Sequence, residues 1–181
     1  MQKWGVTVSI RCSRIGWCVV LLLALTSVAA AFNRTPLTAA EGEQLLAEVI
    51  RYATVEWHDG ENVRRGVPYQ WGGRLSVDEF LQAVEAGAGA AGMGVDASGL
   101  VVSAIRTLWP HFSFYVQQGS EMVPVRDINS ALLFRWNVQA IDVDDLRPGD
   151  LIFFSDSSGG IGGVGIYERT VGRNIRFVVA S

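Results

Sequence analysis

Cysteine is scarce in this chain of 181 residues: there are two, Cys12 and Cys18, and both stand within the first 31 positions. If that leading segment is removed, the remaining domain has no disulfide, no thiolate metal site and no thiol nucleophile. Histidine is equally scarce, with only His58 and His111. Neither has a second ligand pair at zinc spacing, so no metal site is expected. Charge is also thin, at 18% of residues. Lys3, Arg11 and Arg14 carry all of it in the first 31 residues, which leaves twelve basic against 18 acidic side chains on residues 32–181. A net-acidic domain has no basic surface to hold a phosphate backbone, so nucleic acid is not an expected partner. It also gains no long-range attraction toward anionic envelope polymers. What the chain does have is apolar content, 49% of residues, enough to build a core and to exclude wholesale disorder. Its length suits one domain.

The first 31 residues read as an export signal. Lys3, Arg11 and Arg14 make a positive start, Trp17 to Leu25 an apolar run, and Ala29-Ala30-Ala31 a small-residue cleavage site, with the mature chain beginning at Phe32. The apolar run falls short of the roughly 20 residues a membrane-spanning helix needs. The expected location is therefore secreted or periplasmic, with membrane attachment only if the segment stays uncleaved. Asn33-Arg34-Thr35 matches a glycosylation sequon, relevant only in a eukaryotic secretory pathway.

Beyond residue 31, two capping boxes announce helices: Thr38-Ala39-Ala40-Glu41 and Ser76-Val77-Asp78-Glu79. After the first, Leu45, Leu46, Val49, Ile50, Ala53 and Trp57 recur at helical spacing, and Asp59-Gly60 should end the helix. After the second, Phe80, Leu81 and Val84 should face inward. Asp96 should cap a third helix burying Leu100, Val101, Ala104, Ile105 and Leu108, with Pro110 past its end. Residues 111–145 are less periodic and suggest a strand near 114–116 and a short helix near 130–136. Pro148-Gly149 turns into the apolar strand Leu151-Ile152-Phe153-Phe154. Residues 159–163 read as a glycine loop, and 164–167 and 175–179 as two strands joined by a turn. Helices first and antiparallel strands last predict an α+β fold, not a doubly wound sheet.

Several signals could carry chemistry. Gly87-Ala88-Gly89-Ala90-Ala91-Gly92 spells GxGxxG, but a dinucleotide site needs a strand before it, and a capped helix stands there instead. A flexible connection is the expected reading, and nothing in the chain calls for a cofactor. His58-Asp59-Gly60-Glu61 groups metal-capable side chains at what looks like a helix end. Asp142, Asp144 and Asp145 cluster before a turn and are expected to be solvated. The sharpest local signal is Asp96-Ala97-Ser98-Gly99-Leu100-Val101. A residue just after a capping Asp sits where free amides and the helix dipole would stabilise a thiolate. Ala97 occupies that place and carries no nucleophile.

Five blocks stand together: Pro68-Tyr69-Gln70-Trp71-Gly72-Gly73, Asp96 to Val101, Leu146-Arg147-Pro148-Gly149-Asp150 with the strand after it, Val164-Gly165-Ile166-Tyr167, and Phe177-Val178-Val179-Ala180-Ser181. In this order the chain resembles the NlpC-type cell-wall endopeptidases, papain-like cysteine peptidases that cut bacterial peptidoglycan stem peptides. The resemblance implies an NlpC-type domain over residues 62–181 behind an N-terminal helical segment at 32–61. It implies a papain-like α+β fold, with the nucleophile-bearing helix packed on an antiparallel sheet. It also implies further sheet beyond Ser181, so a truncated copy is an expectation.

The catalytic carry-over fails residue by residue. Where the family has its cysteine, this chain has Ala97; where it has the base histidine before Val-Gly-Ile-Tyr, this chain has Gly163; where it has a polar orienting residue late in the next strand, this chain has Val179. The resemblance assigns substrate contact to Tyr69, Asp96 and Ser98. Asp96 would accept from an ammonium and Ser98 donate to a carboxylate, although a plain helix-start role accounts for each equally well. The expected protein is an exported, inactive homologue that binds stem peptides or envelope proteins. The alternatives are a hydrolase using Ser98 as nucleophile, which would need a base in reach, and a degenerate copy.

Overall fold

The computed structural model describes residues 35–181. The segment read as an export signal and the start of the sequon at Asn33 lie outside the described residues. The first helix, α1, spans Ala39–Thr54, and the capping box at Thr38 and Glu41 is formed. It stops three residues before Trp57. Val55 leaves helical backbone, and a hairpin comes next, β1 (Glu56–Asp59) and β2 (Asn62–Arg65). The expectation that Trp57 continues the helix is therefore corrected. Its spacing from Ala53 mimicked a helix, but strand alternation turns it inward instead. There its indole N–H donates to the Gly66 carbonyl at 2.9 Å and its ring meets Phe80 edge-on at 5.2 Å. A buried tryptophan needs an acceptor for that N–H, and the Gly66 carbonyl supplies one. The turn of this hairpin also falls on the 61/62 boundary, so the N-terminal segment and the domain after it share one element.

The second helix, α2, covers Val77–Glu85 under its Ser76–Glu79 box, with Phe80 fully buried and Leu81 and Val84 partly so. A glycine-rich connection leads to α3 (Ala97–Leu108), capped by Asp96. Next come the hairpin β3 (Phe114–Gln118) and β4 (Glu121–Val125), then α4 (Ser130–Trp136) and a single 3-10 turn at Val143–Asp145. The last three strands, β5 (Leu151–Ser155), β6 (Ile161–Val171) and β7 (Asn174–Val178), form one antiparallel sheet in that order. Strand β6 begins inside what reads as a glycine loop, so Ile161 to Gly163 are strand, not loop, and the long turn expected after Tyr167 is mostly strand as well. Val179 stands one residue past the end of β7.

Three hairpins share one turn design. Asp59↔Asn62, Gln118↔Glu121 and Val171↔Asn174 each close a two-residue turn. Gly60, Gly119 and Gly172 hold the first turn position with φ of 62, 62 and 63. That position demands positive φ, which glycine adopts without steric cost.

The core joins α1 (Leu45, Val49, Tyr52), α2 (Phe80), α3 (Leu100, Val101, Ala104) and β6 (Val164, Ile166) in one cluster. Burying each large apolar side chain is worth about 1.5–3 kcal/mol. Alternation along β6 turns Val164 and Ile166 to α3 and leaves Gly163 and Gly165 on the opposite face, under Phe154 and Phe177. The architecture is α+β, a capped helix on a small antiparallel sheet, as the sequence order predicts.

Candidate functional site

The Tyr69-x-Trp71-Gly72-Gly73 loop and the start of α3 are built as one unit. The loop folds around Val95, pairing with it once through Tyr69 and once through Arg74. Val95 N–H donates to the Pro68 carbonyl at 3.1 Å, and Gln70 N–H to the Val95 carbonyl at 3.0 Å. This close approach explains the Gly-rich sequence. A Cβ at Gly99 would collide with the Gly73 carbonyl oxygen, and one at Gly94 with the Pro68 carbonyl oxygen. A Ser-Gly after the helix start is thus a packing requirement as well as a motif.

Asp96 sits at the centre. Its Oδ1 accepts from the Gly99 N–H at 2.6 Å, from Ser98 Oγ at 2.8 Å and from the Arg74 guanidinium at 2.8 Å. Its Oδ2 accepts from the Gly72 N–H at 3.0 Å. Burial works against the carboxylate's charge. The Gly99 amide, then Arg74 and Ser98, outweigh it and hold the Asp96 carboxyl below its ordinary value. A carboxylate oxygen offers two lone pairs, and the Gly72 N–H uses one of those on Oδ2.

Arg74 is the residue that sequence reasoning missed. Its guanidinium donates to Asp96, to the Gly73 carbonyl at 2.9 Å, to Ser98 Oγ at 3.0 Å and to Asp127 Oδ1 at 2.7 Å. Its own carbonyl receives the Ser103 hydroxyl at 2.7 Å. One fork ties the motif loop, the helix start and the segment before α4 together. The only hint in sequence was a lone arginine directly after Gly72-Gly73. Its carboxylate partners lie 22 and 53 positions away, so local pattern could not find them.

Of the predicted contact residues, Asp96 and Ser98 meet in this cluster and Tyr69 lines the same loop, half-buried against the core. Ser98 is only 5% exposed, and its single proton already donates to Asp96. In this arrangement it has none for a ligand carboxylate, and its polar partners are Asp96 and Arg74, not a base. Trp71, by contrast, is 81% exposed on the loop, a large apolar surface beside the site that sequence reasoning did not single out. Ala97 is the first residue of α3, and α3 packs on β6 through the face that carries Val164 and Ile166, with Gly163 on the other. A Cβ at Gly163 would meet only Phe154 carbons, at 3.6 and 4.0 Å, so the position has room for a side chain.

The remaining candidates stay apart. His58 is exposed on β1, and the neighbouring Asp59 carboxylate pairs with Arg64 at 3.2 Å. His111 is exposed beyond α3, and Asp142, Asp144 and Asp145 are all solvent-facing. No group of three or more potential metal ligands occurs among the described residues. The GxGxxG stretch comes after helix α2 and is an exposed connection, with Gly87 and Gly92 both at φ 79.

A helix whose capped N-terminus has a small residue at its first position, packed on an antiparallel sheet and joined to a glycine-rich aromatic loop, defines an α+β domain. The pattern of the NlpC/P60 family matches residues 66–175, and the chain belongs to that family. No curated protein and no solved structure gives a significant match.

Proposed function

We propose that this is an exported NlpC/P60 domain that binds peptidoglycan stem peptides without cleaving them, or docks envelope proteins through the same residues. The observation that carries the reading is Ala97 at the first position of a helix whose N-terminus is otherwise built as the family's motif requires. With no thiol there, and with Gly163 and Val179 at the base and orienter positions, the chain has no cysteine-peptidase chemistry to perform. Support for the binding reading comes from Asp96, which is held ionised, from Tyr69 on the motif loop, and from Trp71, which offers an exposed face for stacking. Such a site favours an ammonium-bearing peptide over an anionic one.

The second reading, Ser98 as nucleophile, draws less support. A serine needs a general base within hydrogen-bond reach. The group bonded to Ser98 Oγ is a carboxylate whose pKa is lowered, which makes it a weak base.

The test is incubation of the purified protein, residues 32–181, with peptidoglycan, reading pull-down and released fragments together. Retention without fragments is the expected outcome. Fragments released by clean protein overturn inactivity, and failure of Asp96→Asn to weaken retention overturns the assigned residues. Export is read separately, by N-terminal sequencing of secreted material, which should begin near Phe32; recovery of full-length cytosolic protein alone would sink it.

A further inference from the structure

A polar cavity lies between the beginning of α2, the last turns of α3 and the segment after β4, with Arg74 between it and the helix-start site. It has a volume of about 210 Å³, and three arginines line it: Arg74, Arg106 and Arg126. At about 30 Å³ of liquid per water molecule, that is room for roughly seven waters or one small solute. Its arginines are unevenly paired. Arg74 is neutralised elsewhere by Asp96 and Asp127. Arg106 forms no hydrogen bond and no ion pair among the described residues. Arg126 donates only to the Phe112 carbonyl, at 3.3 Å. The one carboxylate in the lining, Glu79, is spent on its capping box, accepting from the Ser76 N–H at 2.7 Å and the Ser76 hydroxyl at 2.9 Å. Arg106 lies near enough to help hold Glu79 ionised, yet the two are not paired.

Two arginines with no carboxylate partner therefore face one small cavity in a protein whose net charge is -3. Glu79 is ionised and Asp96 and Asp127 together outweigh Arg74, so three carboxylates match three arginines around the cavity; the two guanidinium groups left without an ion pair are what an anion engages. A carboxylate has two oxygens and fills one guanidinium fork; a tetrahedral phosphoryl group has enough oxygens for two. The lining hydroxyls point to what accompanies the anion. Ser103 and Thr107 already donate, to the Arg74 and Ser103 carbonyls, so toward any further group they can only accept, as they can toward the neighbouring Tyr52 hydroxyl. They suit a P–OH or an alcohol on the same ligand.

We propose that this cavity is a binding site for a phosphoryl group, with Arg106 and Arg126 as its two forks and Ser103 and Thr107 as acceptors for an attached hydroxyl. Tyr69, Ala97 and Asp96 do not line it, but Arg74 does, and Arg74 is bonded to Asp96, so the two sites share one residue. The test is calorimetric titration of the protein with inorganic phosphate and with glycerol phosphate at constant ionic strength, because surface charge effects are salt-screened. Arg106→Gln, Arg126→Gln and the double variant are compared; both residues are exposed, and their circular dichroism and urea melting should match the parent. Saturable binding at millimolar ligand is expected, weakened about tenfold by each substitution and lost in the double variant. Tighter binding of glycerol phosphate than of phosphate supports the hydroxyl acceptors. Vesicles of phosphatidylcholine containing phosphatidic acid form a separate arm. Sedimentation with them that the double variant loses, without binding of the soluble phosphates, identifies a lipid headgroup as the source of the phosphoryl group. Absence of saturable binding in every arm, or binding that the double variant retains at full strength, overturns the proposal.

Discussion

Ala97 separates what the helix start can do from what the site lacks. Free amides and the helix dipole at that position stabilise a thiolate, although the neighbouring Asp96 charge opposes them. Ala97→Cys is expected to give a labelable thiol with a pKa under the ordinary ~8.5, measured by alkylation rate against pH. It should give little hydrolysis, since general base catalysis contributes about 10²–10⁴-fold and no base is present. Adding Gly163→His, for which the backbone leaves room, and Val179→His should be required before turnover appears. An ordinary thiol pKa together with an inactive but folded triple variant would show that these positions are not equivalent to the family's. Arg74 bears on stability instead. Arg74→Ala leaves Asp96 and Ser98 without their guanidinium, and should cost about 2–3 kcal/mol in urea melts. Arg74→Lys should restore only part, because an ammonium cannot bridge four acceptors in a planar fork. Tyr52 makes the opposite case: its hydroxyl is buried near the Ser103 and Thr107 hydroxyls without a hydrogen bond of normal geometry, and burial pushes its pKa up. Tyr52→Phe should leave stability unchanged or raise it by about 1 kcal/mol, whereas a clear loss would mean the hydroxyl is bonded in solution.

At the scale of elements, the helices are set locally and their packing is not. Ser76 and Glu79 satisfy each other's backbone groups at the start of α2. Ser76→Ala should cost about 1 kcal/mol, read as a shift of the urea midpoint with unchanged slope. The contact between the motif loop and α3 is less forgiving. Gly99→Ala sets a methyl against the Gly73 carbonyl, a backbone atom that cannot swing away. The expected loss is at least the roughly 1–3 kcal/mol of overpacking, with a changed near-UV signal from the nearby Trp71 loop. Gly89→Ala is the control, since nothing lies within 4 Å of its Cβ position and its φ is not positive. Equal effects of the two substitutions would remove the argument that close packing dictates Ser98-Gly99.

For the whole molecule, pH is the informative variable. Folding lowers the carboxyl pKa of Asp96, and also of Glu41, Glu79 and Asp156, each through hydrogen bonds to the ionised form. A lowered folded pKa means the unfolded chain takes up protons first. The stability these groups contribute is present above the unfolded values of 3.8 for Asp and 4.5 for Glu, and is lost as pH falls through the folded ones. Glu48 runs the other way: burial raises its pKa, so acidification returns some stability there. Net stability should be flat near neutrality and fall in acid below about pH 4. Asp96→Asn should shallow that acid limb while lowering stability at pH 7. An unchanged limb would mean Asp96 titrates alike in both states.

Much of this protein was written in local sequence. The two capping boxes, the Asp96 cap, the helix at residues 130–136, the strand starting at Leu151 and the α+β order all come from short-range rules, because a cap or an apolar period is satisfied by neighbours a turn away. The family's blocks were legible for the same reason, and with them the absence of a thiol at Ala97. Tertiary structure decided what depends on distant partners. Trp57 read as helix until a carbonyl nine positions away claimed its indole. Residues 161–163 read as loop until β5 supplied a ladder for them. Arg74 carried no local meaning at all. Its role exists only because Asp96, Ser98 and Asp127, far apart along the chain, converge on one guanidinium, and convergence of that kind is a property of the folded chain rather than of any window within it.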